Sequence, residues 1–192
     1  MRNAEATKAR ILEAALDEFA SHGIAGARVD RIAAKACCNK NLIYIYFNNK
    51  DKLFTTVLQE NLARIYEALP LTPDDLPGFA GRSFDYAMAH PKFMRLLAWF
   101  GLEHDAAGPP ERVENWERRL SALRTAQEAG QLGNAFDPGF VFTATLSLVT
   151  AYTAVNPFGP SLNQQAIEKP DELRRAITEA VRLIANARPE NQ

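Results

Sequence analysis

Asn41, Ile45 and Lys40 lie close together in the sequence and carry groups that suit the edges of DNA bases. Asn41 can form two hydrogen bonds with adenine, Ile45 can contact a thymine methyl group, and Lys40 can reach guanine or a phosphate. Ile43 and Phe47 form an apolar stripe at helical spacing, and at about 100° per residue Asn41 and Ile45 point away from that stripe. The pattern predicts a short helix with one buried face and one face free to contact DNA.

The residues around this helix offer further contacts to DNA. Leu42 and Tyr44 flank the exposed face, while the Tyr46 hydroxyl and Lys50 lie where the next helix begins. Phosphates bind well at such a position because backbone N–H groups and the helix dipole assist them. Asn39 lies at the same surface and is suited to cap the N-terminus of the short helix. Half-buried packing is the alternative for Tyr44 and Tyr46.

Three apolar series at three- to four-residue steps predict the helices that support this surface. The first series ends at Gly23, a residue suited to a left-handed helix cap. The second spans only two turns, and a fourth helix is expected over residues 50–69. Two short helices joined by a tight turn are typical of a helix-turn-helix. The three series are Ile11, Leu12, Ala15, Leu16 and Phe19; Val29, Ile32, Ala33 and Ala36; and Ile43 and Phe47.

Charge and proline content divide the chain into two parts. The 192 residues carry 22 Lys and Arg against 23 Asp and Glu, a net charge of −1. Residues 1–55 alone hold nine basic and six acidic residues, a balance of +3, and all eleven prolines lie at position 70 or beyond. The composition, 47% apolar and 23% charged, excludes a disordered chain. We expect a DNA-binding domain over residues 1–55 and a second domain over residues 56–192.

The second part also has helical periodicity. Helices are expected over residues 76–89, 91–105, 110–130, 138–156 and 170–187, with a mobile connection at 157–170. No strand pattern is present, so the predicted fold is all-α with about nine helices. Residues 138–167 contain no Asp, Glu, Lys, Arg or His. Five Thr or Ser residues in the helical part and an acidic flank favour a core or subunit-interface helix over a membrane span.

The segment TKARILEAALDEFASHGIAGARVDRIAAKACCNKNLIYIYFNNKDKLF, residues 7–54, resembles the N-terminal domain of tetracycline-repressor-type (TetR-family) transcriptional regulators. The resemblance implies a three-helix helix-turn-helix domain followed by a larger helical domain for ligand binding and dimerisation. Three positions depart from the family's usual residues. Cys37 stands where a turn glycine is common, Arg28 replaces a capping Ser or Thr and joins the expected DNA contacts, and Leu42 replaces a small polar residue.

The resemblance also implies partners. A homodimer would bind a pseudo-palindromic double-stranded operator and respond to an unidentified small-molecule effector. The implied effector cavity lies among the body helices, where Tyr86, Trp99 and Trp116 are the lining candidates. Apolar stripes on the two last predicted helices imply a four-helix interface between subunits. Its expected residues are Phe140, Thr143, Leu146, Ser147, Thr150, Leu173, Ile177, Ala180, Val181 and Ile184.

Several alternatives remain open. A helical small-molecule carrier or enzyme would share the body pattern, and a DNA-organising protein would lack an effector. No catalytic motif is present, so we expect no enzyme, cofactor or membrane partner. His90, Glu103, His104 and Asp105 fit no ligand set of a metal site. The adjacent pair Cys37 and Cys38 indicates reduced thiols and a cytoplasmic location, although either thiol could sense oxidants.

Overall fold

The computed structural model describes residues 2–103 and 110–189. In those ranges the chain forms ten α-helices and two short 3-10 turns without any strand, which confirms the all-α prediction. The predicted end of the helix at 91–105, with His104 and Asp105, lies outside the described residues. The helices are α1 Arg2–Gly26, α2 Val29–Lys35, α3 Lys40–Phe47, α4 Lys50–Ala68, α5 Leu76–Ala89, α6 Pro91–Glu103, α7 Pro110–Glu128, α8 Pro138–Val149, α9 Phe158–Leu162 and α10 Pro170–Asn186.

The helices form two compact units. The first contains described residues 2–65 and 92–103, and the second contains 66–91 and 110–189. Helix α6 therefore belongs to the first unit although it follows α5 in the chain. The domain boundary expected at residue 55 falls inside α4 and stays a prediction.

The core of the first unit is built from the three predicted apolar series. Phe19 of α1 is fully buried and meets the ring of Phe54 edge-on, with 5.2 Å between the ring centroids. Ile32 of α2 and Ile43 of α3 are buried in the same unit. Since α2 and α3 are only seven and eight residues long, burial of their apolar faces rather than intrinsic helix propensity must stabilise them.

Helix α6 completes the C-terminal end of α1. Gly23 has a φ of 67° and a ψ of −179°, so α1 bends there and continues to Gly26 instead of ending at the predicted left-handed cap. The side chains of Arg95 and Trp99 donate hydrogen bonds to the Ala20 carbonyl at 2.8 and 3.3 Å. The Glu103 carboxylate accepts a hydrogen bond from the Ile24 N–H at 3.3 Å. These contacts satisfy backbone groups that the bend leaves without partners inside the helix.

In the second unit α5, α8 and α10 pack on one another. Phe79 and Phe142 meet at 6.2 Å between ring centroids, and the buried face of α10 contributes Leu173, Ile177 and Val181 to the core. None of the helices in the described ranges is long and apolar enough to cross a membrane.

One expectation about this unit is wrong in detail. Helix α8 ends at Val149 rather than near residue 156, and turns follow it. The hydroxyls of Thr150 and Thr153 donate to the carbonyls of Leu146 and Thr150, respectively. Such bonds give the backbone carbonyls near the end of a helix a hydrogen-bond partner. The connection 157–170 also forms α9 and a 3-10 turn, Gln164–Glu168, capped by the side chain of Asn163.

Candidate nucleic-acid interface

The turn between α2 and α3 adopts the geometry for which a glycine is common. Cys37 has a φ of 51°, and a left-handed residue other than glycine costs about 1–2 kcal/mol. The N–H groups of Cys37 and Cys38 bond to the carbonyls of Ala34 and Ala33 at 3.2 and 3.1 Å, which holds the turn closed. Burial raises the pKa of the Cys38 thiol, and a less acidic thiol reacts more slowly with oxidants.

Helix α3 presents the two faces that its sequence predicts. Ile43 is 1% exposed and Phe47 is also buried, whereas Ile45 is 73% exposed and Asn41 is exposed beside it. Tyr44 is exposed as well. Of the two other candidates on the helix, Leu42 and Tyr46 are each partly exposed. The outer face is therefore a contiguous surface of mixed polar and apolar groups on a rigid support.

Three predicted DNA contacts have partners within the first unit. The Asn39 carboxamide oxygen accepts from the Asn41 N–H at 2.8 Å, which confirms it as the N-cap of α3. Lys40 pairs with Asp30 of α2 at 2.8 Å, and this hydrogen bond raises the pKa of Lys40. The Lys50 ammonium donates to the Ala25 and Ala27 carbonyls, both at 3.3 Å. Lys50 therefore has a structural task, while the exposed Lys40–Asp30 pair is weak enough to exchange for a phosphate.

Sequence reasoning missed the carboxylate that holds α2 in place. Arg28 is exposed and its side chain makes no capping bond at the N-terminus of α2. Glu18 of α1 instead holds the start of α2: its Oε1 accepts from the Arg28 N–H at 2.9 Å and from the Arg31 guanidinium at 2.8 Å. Asp17 beside it pairs with Lys35 of α2 and Lys92 of α6. The only feature of the sequence that could have indicated this role was the pair of adjacent acidic residues, Asp17 and Glu18, within a basic segment.

We expect these carboxylates to make the stability of the first unit sensitive to acid. Burial alone would raise the pKa of Asp17 and of Glu18, but hydrogen bonds from Lys35, Lys92, Arg31 and the Arg28 backbone hold both below their ordinary values. The two carboxylates therefore contribute their full stabilisation above their pKa values in the unfolded chain, roughly pH 4. This stabilisation is lost as the pH falls through their lower pKa values in the folded protein. Urea unfolding at a series of pH values should show this loss.

The double variant Asp17→Asn, Glu18→Gln is the control for this prediction. It should be less stable than the parent protein at neutral pH, and its stability should change less between pH 6 and acid because the two linked groups are gone. Identical acid slopes for the two proteins would contradict the assignment.

The structure does not bring the three predicted effector-site residues together in one unit. Trp99 belongs to the first unit, where it caps α1. Tyr86 and Trp116 belong to the second. Tyr86 stacks on His90 with 3.9 Å between ring centroids, whereas Trp116 lies edge-on to Tyr66 and Phe142.

The predicted subunit-interface residues fall into two groups. Leu173, Ile177 and Val181 are buried by their own chain, so the expectation that one chain leaves this stripe uncovered is wrong. The physical reason is that α5 and α8 pack on that face of α10. The others are accessible to some extent: Phe140, Thr143 and Ser147 are exposed, and Leu146, Thr150, Ala180 and Ile184 are partly exposed. Leu183, which the sequence analysis omitted, is 59% exposed.

A buried stripe and an exposed reading face on α3, joined by a tight turn to α2 and supported by α1, define a helix-turn-helix DNA-binding protein. Residues 11–57 match the family model described as bacterial regulatory proteins, tetR family. Residues 75–182 match the tetracyclin repressor-like, C-terminal domain. The chain belongs to the TetR family of DNA-binding transcriptional regulators.

Individual relatives agree with this membership. The chain is 50% identical over 137 residues to the HTH-type transcriptional repressor SCO4008 of Streptomyces coelicolor, covering 70% of this chain and 71% of that protein. It is 32% identical over 162 residues to the HTH-type transcriptional repressor NicS of Pseudomonas putida, covering 78% and 75%. The crystal structure of the regulator SCO4942 from Streptomyces coelicolor superposes with a TM-score of 0.83 at 36% identity, covering 93% of this chain and 98% of that one.

Proposed function

We propose that this regulator is a cytoplasmic repressor that binds a pseudo-palindromic operator as a homodimer and responds to a small-molecule effector. The observation that carries the proposal is the outer face of α3, where Asn41 and Ile45 are exposed while Ile43 anchors the helix from behind. Such a face fits the major groove, and two copies related by a two-fold axis read two half-sites about 34–36 Å apart. Two relatives named as transcriptional repressors support the direction of regulation.

Operator selection from a random DNA pool, followed by binding measurements at several salt concentrations, tests the proposal. Log K should fall by about 0.9 for each phosphate neutralised. A helical carrier or enzyme would bind no DNA selectively and show no such slope. A DNA-organising protein would bind many sequences and ignore metabolites. Enrichment of one palindromic sequence with a steep salt slope favours the repressor.

Asn41→Ala should weaken operator binding by about 1–3 kcal/mol and relax the preference at one base pair per half-site, because it removes a bidentate contact. Lys50→Ala is the comparison: it should weaken all sequences alike and flatten the salt slope by about one per contact. Since the Lys50 ammonium also bonds to the carbonyls of Ala25 and Ala27, the thermal stability of the Lys50→Ala protein must be measured together with its DNA binding. Equal losses for both variants on every operator sequence would refute the role of Asn41.

The proposed homodimer uses the exposed apolar residues of the second unit. Phe136 and Phe140 lie 5.0 Å apart between ring centroids and are both exposed, and Leu183 of α10 is exposed as well. Apolar groups of this size on a surface indicate a protein partner. A second copy of the chain fits because the TetR family typically forms dimers.

Leu183→Glu should shift the protein from dimer to monomer, because it places a charge within the proposed interface. Analytical ultracentrifugation measures the change. Leu102→Glu, at an exposed residue of the first unit, is the matched control and should leave the dimer intact. Ile177 is unsuitable for this test since it is buried within one chain. A Leu183→Glu protein that remains dimeric would show that this part of α10 lies outside the interface.

Regulation then follows from dimer geometry. An effector that favours a conformation with another spacing between the two α3 helices weakens operator binding. Reducing occupancy from nearly complete to nearly absent requires the effector to prefer that conformation by about 5 kcal/mol.

A further inference from the structure

The ion pair between Lys40 and Asp30 joins the N-terminal ends of the two helices of the helix-turn-helix. Asp30 lies in the first turn of α2, and Lys40 is the first residue of α3. The Lys40 ammonium is 2.8 Å from Oδ1 of Asp30, and the two side chains are 42% and 72% exposed, respectively. Because Lys40 directly precedes Asn41, the pair borders the outer face of α3. The N-terminal residues of a recognition helix are the ones that contact base edges.

Protein stability explains the position of Asp30 but not that of Lys40. The positive end of a helix dipole stabilises a carboxylate in the first turn and destabilises an ammonium there. Lys40 lies at this unfavourable end of α3, whose first turn contains no acidic residue. The hydrogen bond from Asp30 raises the pKa of Lys40, so the ammonium stays charged. An exposed ion pair adds little to stability, so folding alone does not account for a lysine at this position.

Both members of the pair keep hydrogen-bonding capacity for a ligand. An ammonium has three donors and a carboxylate has about four acceptor positions. The contact between Lys40 and Asp30 occupies one donor and one acceptor. The pair therefore offers a donor and an acceptor side by side and carries no net charge.

A G·C base pair has the complementary arrangement in the major groove. Guanine offers the acceptors N7 and O6, and cytosine offers its N4 amino group as a donor. Guanine O6 and cytosine N4 are hydrogen-bonded to each other, so they lie about 2.9 Å apart. This separation matches the 2.8 Å between Lys40 and Asp30.

The neighbouring groups of the base pair distinguish G·C from A·T. With the ammonium on guanine O6, guanine N7 is a second acceptor on the ammonium side. An A·T pair also has a central acceptor and donor, thymine O4 and adenine N6. With the ammonium on thymine O4, however, the thymine methyl group lies on the ammonium side and adenine N7 lies on the carboxylate side. Two acceptors then face each other, so the ion pair favours G·C.

We propose that Asp30 is a specificity-determining residue: the intact pair with Lys40 reads one G·C base pair in each operator half-site, Lys40 donating to guanine and Asp30 accepting from cytosine N4. The proposal rests on the proposed operator binding and specifies one of its base contacts. In the alternative arrangement the pair opens and Lys40 binds a phosphate. That arrangement leaves the Asp30 carboxylate unpaired beside the DNA backbone, and like charges across an interface weaken binding.

The salt dependence of binding separates the two arrangements. A lysine that neutralises a phosphate contributes about 0.9 to the slope of log K against log salt concentration. An intact pair has no net charge and contributes little. The double variant Asp30→Ala, Lys40→Met should therefore lose preference for G·C while its salt slope stays nearly unchanged. The opened arrangement requires a slope that is lower by about 0.9.

The experiment uses the full chain and an operator selected from a random DNA pool. Lys40→Met identifies the base pair whose preference depends on the ammonium, and Asp30→Ala should relax the preference at the same base pair. The parent protein should favour G·C over A·T there by about five- to 150-fold, and each variant should lose most of this preference. Asp51→Ala is the matched control, because Asp51 is an exposed acidic residue in the first turn of α4. It should change binding to all sequences alike.

Base analogues test the same contact with the unaltered protein, so the result does not depend on the folding of a variant. Inosine keeps the O6 and N7 acceptors of guanine and should bind as guanine does. Replacing guanine by 7-deazaguanine removes the N7 acceptor and should reduce the preference for this base pair. Asp30→Ala and Lys40→Met should respond less to that replacement than the parent protein does.

Three results would overturn the inference. The first is stronger binding of Asp30→Ala to every sequence with a steeper salt slope, because Asp30 would then only compete with phosphate for Lys40. The second is relaxation of different base pairs by Asp30→Ala and Lys40→Met. The third is an enriched palindrome whose base preferences Asp30→Ala leaves unchanged, which retains operator binding and rejects only the role of Asp30. Failure to enrich any sequence rejects the proposed operator binding itself.

Discussion

Ile43→Ala should lower the free energy of unfolding by about 2–5 kcal/mol, the range for truncating a buried isoleucine. Ile43 is 1% exposed on the inner face of α3, so the substitution leaves a cavity in the core that fixes this helix. Urea unfolding monitored by circular dichroism gives the loss. Because α3 is only eight residues long and cannot hold its conformation alone, operator binding should fall with it.

Ile45→Ala is the control two residues away on the same helix. Ile45 is 73% exposed, so its truncation should change stability by no more than about 0.5 kcal/mol, the usual range for surface sites. Its expected effect is on DNA instead, as a loss of preference for a thymine at one position. If both variants lost the same stability, the orientation of α3 would be wrong.

Gly23→Ala should destabilise the first unit by about 2–4 kcal/mol through two separate effects. The combination of φ 67° and ψ −179° is essentially confined to glycine, and it costs a residue with a Cβ about 1–3 kcal/mol. The added Cβ would also lie 2.8 Å from the Glu103 carboxylate and 2.9 Å from the Trp99 ring, and such overpacking costs about 1–3 kcal/mol. Neither neighbour moves freely, because Glu103 accepts from Ile24 and Trp99 donates to Ala20.

Gly130→Ala isolates the backbone effect. Gly130 has a φ of 72°, close to that of Gly23, but an added Cβ there would meet nothing within 4 Å. Its cost should be only the roughly 1–2 kcal/mol of the left-handed conformation. A larger loss for Gly23→Ala in urea unfolding reflects both the conformation of Gly23 and the contacts of the added methyl group with α6. Equal losses would mean that α6 yields to the methyl group.

Local patterns were sufficient where one helix face decided the outcome. The spacing of Ile43 and Phe47 predicted which side of α3 is buried, and Asn39 was correctly assigned as the N-cap of α3. Local patterns failed where a partner distant in sequence mattered. They did not show that the Lys50 ammonium bonds to carbonyls that precede it by more than twenty residues, and its contact with phosphate stays a prediction.

The apolar face of α10 shows the same limit. Its period correctly marked Leu173, Ile177 and Val181 as buried, but the period could not say whether a second subunit or the same chain covers them. Packing against α5 and α8 decides in favour of the same chain, and the exposed Leu183 becomes the candidate for the partner. Likewise, no sequence pattern predicted that the Arg119 guanidinium lies over the Tyr66 ring, since the two residues belong to α7 and α4.

By itself the sequence determined the helices, their buried faces and the exposed surface of α3, because periodicity and caps act within a few residues. Only the tertiary structure decided that α6 joins the first unit, that Glu18 holds α2, and that the Arg119 guanidinium lies over the Tyr66 ring. These features depend on contacts such as that between Ile24 and Glu103, 79 positions apart. The physical reason is that side chains distant in sequence meet only when several apolar faces are buried together.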